Sequence, residues 1–182
     1  MRFFRYWKAE ACIAIVIILS GTAICYAQDE NYLEKSVRFN IDNDFLNYRG
    51  SGTDQDYTSG LQLEFSYLQK KRKFFIDKLL LIAGNDSGNI AHWSLTQLMY
   101  TPTDIGDSLI IYHDHPYAAT LFMTRGITSY NSALNLALHS EMIMGVIGPF
   151  SFGKDVQTWA HKTINDIIPE GWNNQIKTDI VL

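Results

Sequence analysis

The sequence predicts an all-β protein, an antiparallel β-barrel of the outer-membrane type, and three observations support that fold class. The N-terminus has the features of an export leader. The rest of the chain contains several runs of alternating apolar and polar residues, each about ten residues long, as in barrel strands. It contains no second apolar run of membrane-helix length, so it can cross a membrane only as a closed barrel. A soluble β-sandwich alternates in the same way and stays the alternative.

Residues 1–27 are predicted to be a cleaved signal peptide. Basic residues precede an apolar run from Ala11 to Ile24, and the small Ala27 lies just before a polar segment. We expect cleavage after Ala27, which leaves residues 28–182 as the barrel segment. An uncleaved anchor is the main alternative, and a lipoprotein site at Cys25 is disfavoured by the bulky Ile24.

Composition excludes several classes of function. Both cysteines, Cys12 and Cys25, lie in the leader, so the mature chain has no disulfide, cysteine nucleophile or zinc-thiolate site. The net charge of −4 gives no indication of nucleic-acid binding. The basic cluster Lys70–Lys73 is interpreted as a solvated turn, with contact to phosphate groups as the alternative.

Period-two alternation locates the strands in order. The first runs from Val37 to Asp44 and the second from Leu61 to Tyr67, and a turn-rich link between them predicts a hairpin. Further strands are predicted over His92–Thr101, Ala118–Ile127 and Leu134–Ile147, and the last residues resemble the opening of another. Since an outer-membrane barrel needs at least about eight strands, we expect this chain to be truncated.

Two segments depart from the alternation. Lys73–Ala83 has mixed periodicity and is predicted to be a short helix or a strand end. Lys154–Ile168 has apolar residues at helical spacing and is predicted to be a helix that ends at Pro169. On that helix Gln157, His161 and Asn165 stand four residues apart and would share one face.

Two polar groups are predicted to face each other across the first hairpin. Asn43 and Asp44 end the first strand, and the segment with Thr58 and Gly60 opens the second. Each is typical of an ordinary turn. Together they would offer a carboxylate and backbone carbonyl oxygens, and calcium favours about six to eight such ligands.

The histidines give weaker signals. His113 and His115 would share a face if they lay on a strand, but no third zinc ligand stands at a recognised spacing. His161 on the predicted helix is a candidate general base, although a lone helical histidine is often only a surface residue. The sequence has no Gly-x-Ser-x-Gly motif, so a serine hydrolase lacks its usual mark.

The ordered motifs resemble the outer-membrane lipid A 3′-O-deacylase (LpxR-type) family. Seven short motifs occur in order over nearly all of the mature chain: Asn43-Asp44-Phe45, Asp56-Tyr57-Thr58-Ser59-Gly60, Gln97 with Tyr100-Thr101-Pro102, Pro116-Tyr117-Ala118, Gly145 to Pro149, Gln157 with His161, and Gly171-Trp172 with Gln175. The resemblance implies a twelve-stranded barrel whose active site lies between the barrel wall and the outer-leaflet lipid, and it implies that this chain supplies only the N-terminal half of that barrel.

The resemblance also implies roles for individual residues. His161 is expected to be the general base and Asn43 to help hold the site. Calcium is the expected cofactor, with Asp44 as side-chain ligand, Thr58 and Gly60 as backbone ligands, and Asp166 as the further acidic ligand at a slightly different spacing. Two departures concern substrate placement. The family's lysine after the Thr-Pro motif has no counterpart, and Ala119-Thr120 stands where relatives have Gly-Trp.

The expected reaction is calcium-dependent hydrolysis of the 3′ ester-linked acyl chains of lipid A, in which His161 activates water and no acyl-enzyme forms. The expected partners are lipopolysaccharide and outer-membrane lipids, and a monomer without nucleic-acid partners is expected. The alternatives are a non-catalytic barrel or inactive truncated remnant, and an outer-membrane phospholipase. The hydrolase interpretation requires His161 and Asp44 to converge on one pocket.

Overall fold

A six-stranded antiparallel sheet with its strands in sequence order forms the centre of the structure. The computed structural model describes residues 35–43 and 57–182, which fall in the unit Glu34–Leu182. The elements are β1 (Lys35–Asn43), β2 (Ser59–Leu68), α1 (Phe75–Leu79), β3 (Gly88–Tyr100), β4 (Ala118–Asn131), β5 (Leu136–Ile147), α2 (Gly153–Ile164) and β6 (Asp179–Val181). In this described part, no helix is both long and apolar enough to cross a bilayer.

The sheet has one apolar face and one polar face. Strand pairing places apolar residues side by side across five strands, and they are largely exposed: Phe39, Leu63, Leu95, Met123 and Met144. The other face holds polar contacts such as the hydrogen bond from Asn40 Nδ2 to Gln62 Oε1 at 2.7 Å. Outer-membrane barrels are apolar outside and polar inside, so in the predicted barrel the apolar face is the outward, lipid-facing one.

The strand and hairpin predictions are confirmed, although the bounds differ: β2, β3 and β4 are longer than predicted, whereas β5 begins at Leu136 rather than Leu134. β1 pairs with β2 as predicted, Asn43 lying opposite Ser59. β3 begins at Gly88, four residues before the predicted start, and β4 continues to Asn131 rather than Ile127. The mixed segment after Lys73 contains a helix, α1, and the last residues contribute β6.

The predicted end of α2 is wrong. The helix stops at Ile164 because Asn165 adopts the left-handed conformation with φ of 58°, and the Asp166 N–H donates to the His161 carbonyl at 2.9 Å. Asparagine is one of the few residues that ends a helix in this way. Asn165 therefore lies beyond the helix and does not share a face with Gln157 and His161.

A buried ion pair holds α1 against the outward face. Asp77 and Arg125 are almost fully buried, and Arg125 Nε donates to Asp77 Oδ1 at 2.8 Å. Asp77 Oδ2 accepts from Gln69 Nε2 and from the Lys73 and Phe74 backbone. The guanidinium also lies about 5–6 Å from three aromatic rings, a cation–π distance: Tyr67, Phe74 and Trp93.

Replacing Asp77 by alanine should lower the free energy of unfolding by about 3–5 kcal/mol, because Arg125 would be left buried without its partner. The exposed Asp86 is the matched control, and Asp86→Ala should change stability by less than about 0.5 kcal/mol. Urea unfolding in detergent micelles measures both. Equal effects of the two substitutions would contradict a structural role for the pair.

The carboxylate of Asp77 should make the free energy of unfolding depend on pH. Burial alone would raise the pKa of Asp77, but its hydrogen bonds with Phe74 and Gln69 and the charge of Arg125 outweigh burial and hold the pKa below the ordinary 3.8. This stabilisation is fully present above pH 3.8 and is lost as the pH falls through the lower, folded-state pKa. Unfolding curves of the wild-type protein should therefore lose stability below that pH more steeply than those of Asp77→Asn. Parallel pH profiles would exclude this linkage.

Candidate functional site

Helix α2 packs on the outward face at the end of the sheet where β2 begins and β3 ends. A 3-10 turn, Pro149–Ser151, leads into it from β5, and Gln97 Nε2 of β3 donates to the Ser151 carbonyl at 2.6 Å. A side chain at Gly153 would overlap Ala119 of β4. The glycine lets the start of the helix lie directly on the strand, and the helix carries His161 over the lipid-facing side.

Trp172 fixes the helix from the other side. Its indole is fully buried with Tyr117, Met99 and Ala119, and its Nε1 donates to Gln157 Oε1 at 2.7 Å. Gln157 is itself buried and lies one helical turn before His161. This hydrogen bond links the position of His161 to the packing of the sheet.

His161 is half-buried and is held in one tautomer. Its Nδ1 lies 2.6 Å from the carbonyl oxygen of Ile167. A carbonyl can only accept, so Nδ1 carries the proton, and in the neutral ring Nε2 has the free lone pair. An imidazole oriented in this way can accept a proton from water.

Apolar side chains of α2 and of the segment that follows it are exposed in the isolated protein. Trp159 is 69% exposed and Ile167 is 62% exposed, and Ile164 is exposed as well. Together with the exposed apolar row of the outward face, they form a surface suited to hydrocarbon chains. The candidate base therefore lies beside a lipid-compatible surface.

Strand register brings the end of β1 towards α2. Asn43, Ser59, Met99 and Ala119 are successive cross-strand partners, and Ala119 lies against Gly153. At about 4.8 Å per strand, this row spans about 14 Å. The row joins the predicted calcium hairpin to the helix that carries the candidate base.

Only some of the predicted calcium ligands lie among the residues that the structure describes. Thr58 is buried, its N–H donates to the Met99 carbonyl at 2.9 Å, and its hydroxyl lies 2.6 Å from the Thr101 hydroxyl. Gly60 lies opposite Asp42, and the Tyr57 phenol fills the space that a side chain there would need. Asp44 and the side chain of Asn43 lie outside the described residues, so the convergence of Asp44 and His161 stays a prediction.

Asp166 follows the end of α2 and is exposed. Its Oδ1 accepts the N–H of Ile167 at 2.8 Å, and its backbone N–H donates to His161. These contacts place the carboxylate close in sequence and space to the candidate base. Within residues 35–43 and 57–182, Asp166 belongs to no cluster of three histidine or acidic ligands, so its role as a calcium ligand stays a prediction.

The chain matches the family model of outer membrane protein LpxR over residues 12–182. It belongs to this family. Among solved structures, LpxR from Salmonella typhimurium matches with a TM-score of 0.59 and 22% sequence identity. The match covers 79% of this chain and 47% of that one, so the chain spans about half the length of its structural relative. No curated protein is significantly similar.

Membership of the LpxR family confirms three predictions. The resemblance seen in the ordered motifs is correct, the fold class is the all-β barrel, and the location is the outer membrane. The departure at Ala119 now has a structural setting, because this residue is fully buried beneath the start of α2. Ala119 is therefore part of the packing that supports α2.

The histidine pair between β3 and β4 lies in a loop and not on a strand. His113 and His115 are exposed, and between them Asp114 accepts the N–H groups of Thr103 and His115, both at 2.7 Å. These hydrogen bonds hold the pKa of Asp114 below its ordinary value. Asp114 organises the loop, and neither histidine belongs to a three-ligand cluster in the part of the chain that is described.

Sequence reasoning missed two groups that only pairing brings together. Arg125 occupies an outward position of β4 between Met123 and Ile127, and a charge in an apolar row could have signalled a buried partner. His92, His139 and Glu141 form a cluster on the polar face, in the half of the sheet away from α2. Their spacing in the sequence gives no signal. The basic turn Lys70–Lys73 follows β2 at the end of the sheet opposite α2.

Replacing Trp172 by phenylalanine should destabilise the protein by about 1–3 kcal/mol, since it leaves the buried Gln157 Oε1 without its donor. Trp159 of the same helix is exposed and is the matched control, and Trp159→Phe should cost less than about 0.5 kcal/mol. Urea midpoints of the two variants test this. Indistinguishable midpoints would show that the indole hydrogen bond does not hold α2.

Proposed function

We propose that this protein contributes the catalytic half of an outer-membrane enzyme that hydrolyses the 3′ ester-linked acyl chains of lipid A. The observation that carries the proposal is the oriented imidazole of His161, placed on the lipid-facing side of a barrel wall in a member of the LpxR family. The chain spans about half of the matched structure, so the activity is proposed for the protein as it works in the membrane.

His161 would act as general base. Its Nε2 removes a proton from a water molecule while the Nδ1–H stays bonded to the Ile167 carbonyl and stabilises the resulting imidazolium. The hydroxide attacks the ester carbonyl carbon. When the tetrahedral intermediate collapses, the sugar oxygen leaves and takes the proton back from Nε2, which gives a free fatty acid and a sugar hydroxyl.

The apolar surroundings of the base support a lipid substrate. A water-soluble ester would gain little from a base whose neighbours Ile164 and Ile167 are exposed apolar residues, on a helix that also exposes Trp159. An acyl chain in the outer leaflet, by contrast, lies against the outward face already and needs no transfer into water. The scissile ester joins such a chain to its polar sugar, so the base must also reach water, and His161 is only partly buried.

Calcium is the proposed cofactor. Asp44, the backbone oxygens of Thr58 and Gly60, and Asp166 would hold it, an all-oxygen set of the kind that calcium prefers. The buried Ser59 hydroxyl has no hydrogen-bond partner among the residues that the structure describes. Ser59 lies in the row that leads from Asn43 to α2. Bound there, calcium would supply positive charge to the developing oxyanion. Asn43 would help to hold the site.

His161→Ala should leave the barrel inserted but lower lipid A deacylation by a factor of about 10²–10⁴, because the general base is gone. The exposed loop variant His113→Ala is the matched control and should keep wild-type activity. Mass spectrometry of lipid A from cells that express each variant, in calcium and in chelator, measures the loss of the 3′ acyl chains.

Each other result of this experiment has a definite meaning. Full activity of His161→Ala would exclude His161 as base, and full activity in chelator would exclude calcium. Acyl loss from phospholipids instead of lipid A would identify a phospholipase. Unchanged lipid A with the wild-type protein would identify a non-catalytic barrel.

A further inference from the structure

The polar face of the sheet carries a second constellation of metal-ligating groups, far from the candidate active site. His92 of β3 lies opposite Gly126 of β4, which lies opposite Glu141 of β5. His139 is two residues from Glu141 on the same strand, so both side chains share the polar face. From His92 to Tyr100, at the α2 end of β3, the strand extends roughly 26 Å.

Gly126 makes the meeting of these groups possible. Strands two apart in a sheet are about 9.6 Å from each other, too far for most short side chains to touch. The imidazole of His92 lies across β4 in the space above Gly126, where any side chain would overlap the ring. The ring thereby reaches the two residues of β5.

The three side chains converge on a small volume. Glu141 Oε2 lies 3.3 Å from His139 Nε2 and 3.9 Å from His92 Nε2. The two imidazole rings are parallel, with centroids 5.6 Å apart and an angle of 2° between planes. One ligand atom from each residue lies within 4.8 Å of the other two.

The hydrogen bonds around the cluster orient the histidines so that ring nitrogens are available as metal ligands. Thr128 Oγ1 lies 2.9 Å from His139 Nδ1, which leaves Nε2 directed towards Glu141. Arg125 Nη1 donates to the backbone carbonyl of His92 at 3.1 Å and fixes the strand beneath the ring. Partners of this kind orient metal-binding histidines in proteins and set the affinity.

We propose that His92, His139 and Glu141 form a binding site for a divalent transition metal, with Zn²⁺ as the ion that best suits two imidazoles and one carboxylate. Ligand atoms of a tetrahedral zinc ion lie about 3.3 Å apart, so the cluster must contract slightly. His139 and Glu141 are 50% and 41% exposed at their side chains, which leaves them room for this small shift. The ion would join β3 to β5 across β4 and keep a fourth position for water.

This site differs from the proposed calcium site in chemistry and place. Calcium prefers oxygen ligands, whereas two of these three ligands are nitrogens. The cluster lies on the polar face in the half of the sheet away from α2, so its occupancy does not depend on the proposed hydrolase activity. Success or failure of either proposal leaves the other open to its own test.

Zinc titration by calorimetry tests the proposal on the whole protein, purified in detergent micelles, freed of metal and kept in excess Ca²⁺. The expected result is one Zn²⁺ per chain that calcium does not displace. His139→Ala should abolish this binding, and Thr128→Val should weaken it by about 10–100-fold. The double variant His113→Ala, His115→Ala is the matched control and should bind like wild type.

Three results would overturn the site. Absence of calcium-resistant zinc binding would leave only a histidine–glutamate ion pair. Unchanged binding in His139→Ala, or lost binding in the His113/His115 control, would place the zinc elsewhere. Should His139→Ala fail to fold by circular dichroism, Glu141→Gln keeps the side-chain shape while removing the charged ligand, and it must weaken binding.

Discussion

Strand register decides which side chains of this protein can meet. Every strand pairs with its sequence neighbours, and the pairing fixes both the face and the row of each residue. A shift of one residue would exchange the two faces, since side chains alternate along a strand. This one alignment determines four features: the exposed apolar row, the buried Asp77–Arg125 ion pair, the row from Asn43 to Ala119, and the cluster of His92, His139 and Glu141.

The outward face is covered at its two ends and bare between them. At one end α1 is held by the Asp77–Arg125 pair, and at the other α2 is held by Trp172 and Gln157. The exposed apolar row between them matches the hydrocarbon region of a bilayer. This arrangement holds the helix that carries His161 on the sheet and leaves the outer side of the helix exposed, as the proposed hydrolysis of lipid acyl chains requires.

Much of the fold could be predicted, because alternation is a local property of barrel strands. The strands, the first hairpin and the helix with His161 followed from periodicity, and the ordered motifs identified the LpxR family. Boundaries were less accurate. α2 ends early because Asn165 adopts a left-handed conformation, a choice between local hydrogen bonds that the apolar pattern of the helix does not encode. The roles of Asp44, Thr58, Gly60 and Asp166 stay predictions.

The sequence alone determined the class of fold and the residue types available for chemistry, because these depend on composition and short-range pattern. It also predicts the export leader. Only the tertiary structure decided that Nδ1 of His161 bonds to the Ile167 carbonyl, that Arg125 finds Asp77, and that His92 crosses Gly126 to reach β5. Those contacts join residues whose meeting depends on register and on where the chain turns. The position of a side chain in space is a property of the assembled sheet and cannot be read from its neighbours in the chain.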